Sequence, residues 1–237
     1  MATPQYSRVL IKISGGLLRA EADSLDRTRL NQIAAELKAV RDTGVQVALV
    51  VGGGNIVRGQ KAAEAHAIDR VTADHMGMLA TVINGLALMD TLEKMGIETR
   101  VMSAIPMDRL AEPYILRRAT HHMDKGRIVI FVAGTGNPYF STDTAAALRA
   151  NEIGAKILIK ATNVDGIYSA DPAKDPKAQK LHKISFTECL DRRLKVMDTA
   201  AFALCRENNL PILVLDLFAK DSLLKAVRGE AIGTLVN

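Results

Sequence analysis

Short, almost wholly apolar runs alternate along the chain with longer stretches whose apolar residues recur every three or four positions. "SRVLIKIS" (7–14), "VQVALVV" (45–51), "ETRVMS" (98–103), "AKILIKA" (155–161) and "PILVLDL" (211–217) are runs of the first kind, and "GRIVIFVAGTGNPYF" (126–140) is one that ends in a glycine loop. Apolar on both faces, they read as strands buried in a parallel sheet. Between the first two, "DRTRLNQIAAELKAVRDTG" (26–44) sets Leu30, Ile33, Ala34, Leu37 and Val40 at helical spacing, with Gly44 as a stop. Further helices are expected over 68–95 (closed by Gly96), 112–124, 142–154, 195–210 and 221–228, and "GTLV" (233–236) is a last strand. The stretch 162–186 breaks the rhythm. It is rich in Asp, Pro and Lys, and Asp165-Gly166 signals a turn, which predicts a hairpin.

Such alternation predicts an α/β fold, a three-layer αβα sandwich around a mainly parallel sheet. With 237 residues, 48% of them hydrophobic and no linker composition, the chain reads as a single domain. Ligands in such sheets sit beyond the carboxyl ends of the strands. Three glycine loops fall there: "KISGG" (12–16), "VGGGN" (51–55) and "AGTGNP" (133–138). Glycine lets backbone N–H groups face a ligand, and a following helix adds its positive end. Lys12 and Arg58 lie beside two of the loops, so together they point to phosphate. Neither common phosphate loop is present: no Gly-Lys dipeptide occurs, and Val57 stands where a dinucleotide fingerprint needs its third glycine.

Charge changes the picture little. The balance of 31 − 26 = +5 suits anionic partners, but with no Trp, five Phe and four Tyr the stacking platforms for single-stranded nucleic acid are scarce. Small phosphorylated molecules fit better than nucleic acid. No leader pattern and no membrane-length apolar run is seen, and Cys189 and Cys205 read as reduced thiols of a cytoplasmic protein.

The residues carry a phosphoryl-transfer chemistry on their own terms. That reaction needs in-line placement and positive charge on oxygens that grow more negative. Lys12, at the end of the first strand, can bridge two phosphates, and Arg58 is a planar phosphate clamp. Asp74, Asp143 and Asp198 each open a helix in this reading, where dipole or capping alone would justify a carboxylate. His121 and His122 are adjacent and diverge on a helix, so they are structural, and Met76, Met78, Met89 and Met95 fit core or subunit contact.

The motifs "KISG" and "GGGNIVRG", followed by "DHMGMLATVINGLA" (74–87), "MSAIP" (102–106), "GTGNPYFSTDTAA" (134–146), "KATNVDGIYSADP" (160–172) and "LKVMD" (194–198), resemble the amino acid kinase superfamily and, within it, the bacterial uridylate kinases, over essentially the whole chain. The resemblance implies transfer of the γ-phosphoryl of ATP to UMP with Mg2+, in a cytoplasmic homohexamer built from dimers and inhibited by UTP. It implies an acceptor-nucleotide half of about residues 1–155 and an ATP half of about 156–237. It makes Lys12 catalytic with Arg58, Asp143 a lysine-positioning or Mg2+ carboxylate beside an ion held mainly by the phosphates, and Asp198 the acid that orients Lys12. UMP would meet Gly53, Asp74 (at the ribose), Thr135, Gly136, Asn137, Pro138, Tyr139, Phe140, Ser141 and Thr142 (at the base edge). ATP would meet Lys12, Ile13, Ser14, Gly15, Gly54, Arg58, Thr162, Asn163, Tyr168 and Asp171, with Lys160 as a further phosphate contact.

Two departures stand out. After "KISG" the family has glutamate and a glycine-rich stretch, where this chain has Gly16 and "LLRAEADSL"; Met89 and Glu93 replace basic residues on the long helix. Both weigh against activation by GTP. Two alternatives share the scaffold: another superfamily kinase acting on acetylglutamate, aspartate or carbamate, which should lack the "GTGNPYF" segment, and a nucleotide-binding storage or regulatory protein, which should have lost Lys12, Asp143 or Asp198.

Overall fold

The computed structural model describes residues 3–21, 23–57, 67–170, 175, 177–194 and 196–237. Six apolar runs form the parallel part of one nine-stranded sheet: β1 (Arg8–Ile13), β2 (Gln46–Val51), β3 (Thr99–Ser103), β5 (Ile128–Val132), β6 (Ile157–Thr162) and β10 (Ile212–Asp216). Short edge strands complete it, β4 (Glu112–Pro113) on one side and β11 (Thr234–Val236) with β9 (Lys183–Ile184) on the other. The spatial order is β4-β3-β5-β2-β1-β6-β10-β11-β9, and only the β10–β11 pairing is antiparallel.

Two cores flank the sheet, as alternating side chains require. Val9, Ile11 and Ile13 of β1 pack on one side with α1 (Arg27–Arg41), α2 (Arg70–Lys94) and α7 (Ser222–Val227). Leu10 faces the other side, with α3 (Leu116–Asp124), α4 (Thr142–Glu152), α5 (Phe186–Asp191) and α6 (Thr199–Glu207). The three layers expected from the sequence are therefore present.

The structure departs from the sequence reading in three places. The helix expected from 112 begins only at Leu116, because Pro113 holds Glu112 out of the helical region and pairs instead at the sheet edge, where a missing N–H is tolerated. The hairpin exists as β7 (Ile167–Tyr168) against β8 (Lys180–Leu181), but Asp165-Gly166 precedes it rather than forming its tip. Gly166 is needed for docking: a Cβ there would lie 2.6 Å from Thr234 Oγ1, which accepts the Ile167 N–H at 2.8 Å. Helix α5 was not expected, although "SFTE" is a capping box in which Ser185 and Glu188 satisfy each other's backbone N–H groups.

Candidate active site

β1 and β6 are neighbours in register, with Lys12 opposite Lys160. Both lysines fall on the strand face that carries Leu10 and Leu158, toward α4. Two ammonium groups side by side in a parallel sheet need a counter-charge, and the first turn of α4 supplies it. Asp143 lies 2.8 Å from Lys12 through Oδ1 and 2.8 Å from Lys160 through Oδ2. Both contacts are at hydrogen-bonding distance, and the one from Lys160 is the better directed. Burial opposes ionisation of Asp143, but the two lysine charges outweigh it and hold the carboxyl below the usual carboxylate range. Lys160 also donates to the Val196 carbonyl at 2.6 Å, and Lys12 to Ser14 Oγ at 3.1 Å.

Asp198, expected to orient Lys12, makes its described contacts elsewhere. It caps α6 through the Ala201 N–H at 3.0 Å, accepts the Thr144 hydroxyl at 2.9 Å, and accepts the Ser141 hydroxyl. It makes no ion pair with Lys12 among the described residues. Ser141 in turn caps α4 by accepting the N–H groups of Asp143 and Thr144. Asp198 thus ties the start of α6 to the first turn of α4, and it steadies Asp143 at one remove. Burial and the charges of Asp143 and Asp198 push the Cys205 thiol up to about 12, so it stays protonated in this acidic neighbourhood.

Two cavities open on either side of this junction. The first, about 450 Å³, is walled by Gly53, Gly54, Asp74, Thr135 and the run Tyr139–Thr142, together with Arg70. Asp74 does not open α2; Asp69 caps that helix through Val71 N and Thr72 N, and Asp74 lies one turn further in. Gly136, Asn137 and Pro138 belong to the same loop but do not line the wall. The second cavity, about 350 Å³, is walled by Ser14, Gly16, Arg19, Arg29, Thr162 and Asn163, with Phe218 beneath the Arg29 guanidinium at 4.1 Å. Tyr168 is not part of it; its hydroxyl donates to Asp165 at 2.8 Å. Ile13 is buried in the core, and its carbonyl accepts the Gly52 N–H. Arg58 and Asp171 lie outside the described residues.

The paired glycine loops have a packing reason as well as a chemical one. A Cβ on Gly15 would lie 2.7 Å from Gly54 N and 2.8 Å from Gly52 O, and one on Gly53 would lie 2.7 Å from Gly77 O of α2. Loop thus meets loop, and loop meets helix, with no room for a side chain. Two polar residues within the apolar α2 pattern hold this arrangement. Buried Asn84 donates to Gly52 O at 2.7 Å and exchanges amide bonds with Asn55, while Thr81 Oγ1 accepts the N–H of Ala133 at 2.7 Å. Their signal in the sequence is a polar residue at a core position of a helix, which has to find a buried partner.

No three His, Cys, Asp or Glu side chains cluster to hold a metal among the described residues. Asp143 does not suit that task either, because each of its oxygens faces an ammonium group. His122, left as structural by its spacing, is held by Glu112 at 3.0 Å and by Arg127 at 3.1 Å.

Residues 7–216 match the amino acid kinase family. The chain belongs to the amino acid kinase family. Among its relatives in that family, the uridylate kinase of Methylococcus capsulatus (strain ATCC 33009 / NCIMB 11132 / Bath) is 51% identical over 238 residues, covering 100% of this chain and 99% of the relative. The crystal structure of UMP kinase from Bacillus anthracis superposes with a TM-score of 0.95 at 41% identity, covering 98% of this chain and 96% of that one. That of UMP kinase from Ureaplasma parvum gives 0.92 at 39% identity, with 98% and 99% covered. At such likeness this kinase-family chain shares their fold throughout, and the mainly parallel sheet is theirs too.

Proposed function

We propose that this kinase-family chain is a uridylate kinase: it transfers the γ-phosphoryl of ATP to UMP, giving UDP and ADP. The observation that carries the reading is a continuous line of contacts between the two cavities. Thr142 walls the first; Asp143, next in sequence, holds Lys12; and Lys12 reaches Ser14, which walls the second. Two ligands meeting across Lys12 would place their phosphates on either side of one ammonium group.

The first cavity, with Asp74 and the Thr135–Thr142 loop, is the acceptor site, served mainly by residues before about 155. The second, with Ser14, Thr162 and Asn163, is the ATP site. An oxygen of the UMP phosphate attacks the γ-phosphorus, the bond to the β–γ bridging oxygen breaks, and ADP leaves. The attacking oxygen is already ionised at neutral pH, so no general base is required, and the protein's part is placement and charge. Lys12 neutralises the charge shared by attacking and leaving oxygens, and Asp143 and Lys160 fix its place. Mg2+, where it takes part, would be held by the nucleotide phosphates and would draw charge from the transferring group.

Several further features belong to the same reading. Leu79 and Ile83 are exposed on α2, which fits a subunit contact within a homohexamer. No described helix is long and apolar enough to cross a membrane, in keeping with a cytoplasmic enzyme. UTP, the same base with a longer phosphate tail, would compete at the acceptor cavity, and GTP would have little effect.

The test is a coupled assay of ADP release with ATP and Mg2+ and, separately, UMP, CMP, AMP, acetylglutamate and aspartate, each with and without GTP. Turnover with UMP alone is expected. Turnover with an amino acid instead would move the chain to another branch of the family, and ATP binding without turnover on any acceptor would favour a storage or regulatory role.

A further inference from the structure

Arg70 has no part in the assignments above, yet it touches both Asp74 and the acceptor loop. It is the first residue of α2, and Asp74 follows four residues later on the same face. The order is the wrong one for helix stability: a cation sits where the dipole is positive, and the acid lies on its C-terminal side. Something other than the helix is served by this pair. Arg70 Nε donates to Asp74 Oδ2 at 2.9 Å, and the Tyr139 N–H donates to the same oxygen at 2.8 Å. The Arg70 guanidinium also lies 5.4 Å from the centroid of the Tyr139 ring.

Tyr139 itself is held at φ 71°, a left-handed conformation that a tyrosine adopts only when its surroundings require it. Arg70, Asp74 and Tyr139 therefore close a triangle between α2 and the 133–140 loop, and all three wall the first cavity. Both protein donors converge on Oδ2. Oδ1 accepts no hydrogen bond among the described residues, although the Asp74 side chain is only 14% exposed. A largely buried carboxylate with one oxygen saturated and the other open is a directed acceptor for a hydroxyl donor.

We infer that Arg70 is a positioning residue: with the Tyr139 N–H it pins Oδ2 of Asp74 and so turns Oδ1 to a ribose hydroxyl of the acceptor, which makes the site select ribose over a deoxyribose. The inference rests on the reading of this cavity as the UMP site. A site that hydrogen-bonds a substrate hydroxyl discriminates strongly against the analogue lacking it, since the buried acceptor is then left unpaired.

The experiment compares wild type, Arg70→Met and Arg70→Lys with UMP, 2′-deoxy-UMP and 3′-deoxy-UMP, measuring kcat and KM for each acceptor and KM for ATP, with folding followed by circular dichroism. Wild type is expected to prefer UMP over at least one deoxy analogue. Arg70→Met should raise the KM for UMP about tenfold, the scale of one charge-assisted hydrogen bond, and reduce that preference by a similar factor while KM for ATP holds. Arg70→Lys, which keeps the charge but not the fork, should recover part of the preference. A folded Arg70→Met or Arg70→Lys with unchanged UMP KM and unchanged preference would overturn the inference, as would a wild type indifferent to both hydroxyls. Wild type that ignores UMP altogether would instead overturn the acceptor reading itself, and this inference with it.

Discussion

The junction between the cavities and the rim of the first cavity are built by opposite means. At the junction, Lys12 and Lys160 come from adjacent strands in fixed register, and Asp143 comes from the capped first turn of a helix. Lys12 is buried, Asp143 and Lys160 are largely covered, and each is held by more than one contact. At the rim, residues 133–139 are a loop in which Ala133, Gly134, Gly136 and Tyr139 all take positive φ, and Tyr139 is 68% exposed. In the proposed reading, regular structure fixes the charges that act on the reacting atoms, and an irregular, strained segment reads the ligand. The comparison teaches where damage should show: at the junction in turnover and stability, at the rim in acceptor KM.

The largest effect should come from Asp143→Asn, which leaves two lysines facing each other with no counter-charge. Removing one member of a buried ion pair costs about 3 kcal/mol, measurable by urea unfolding at pH 7. The sign with pH follows from the depressed carboxyl. Its stabilisation is complete above the unfolded value near about 4 and is lost as pH falls from there through the lower folded value. The gap between wild type and variant should therefore be widest at neutral pH and should close in acid. A gap that stayed constant would mean that Asp143 is not the counter-ion of the pair.

Lys12→Ala should fold and lose at least about 100-fold in kcat, the scale of one preorganised electrostatic group. Lys160→Ala sharpens the contrast within the pair. Lys160 is also tethered to the Val196 carbonyl, so its loss should lower Tm more and kcat less than that of Lys12. Equal losses of turnover would make both lysines phosphate contacts. Asp198→Ala comes next, with about 1 kcal/mol lost from the α6 cap and a smaller fall in kcat than Lys12→Ala. A loss of turnover as large as that of Lys12→Ala, without loss of stability, would restore Asp198 to a direct role on the lysine.

How much of this was legible before the fold was seen follows the same division. Parallel strands announce themselves as continuous apolar runs, so the sheet and the position of Lys12 near the carboxyl end of β1 could be read directly. The register that sets Lys12 beside Lys160 could not, because it depends on crossovers far apart in the chain. Asp198 and Asp143 looked alike as acids at helix starts. Only the packing of α4 against α6 decides that one faces the lysines and the other the hydroxyls of Ser141 and Thr144. The strand at Glu112–Pro113 and helix α5 escaped because two and six residues are too few for a periodic signal. Tyr139 was visible as part of a motif, but nothing local shows that it must be left-handed.

The smallest effect is also the one that tests the rim most directly. Tyr139→Gly keeps the backbone N–H that bonds to Asp74 and adopts φ 71° without strain, while it removes the ring beside Arg70. Relief of the left-handed conformation, about 1 kcal/mol, should offset the lost ring contact and the greater freedom of the unfolded glycine, so Tm should barely move. The KM for UMP should rise a few-fold, roughly the size of one exposed cation–π contact, with kcat and the KM for ATP unchanged. A fall in kcat instead would mean that the loop reaches the reacting phosphates, and the separation of reading from reacting would fail at the residue where it is most exposed.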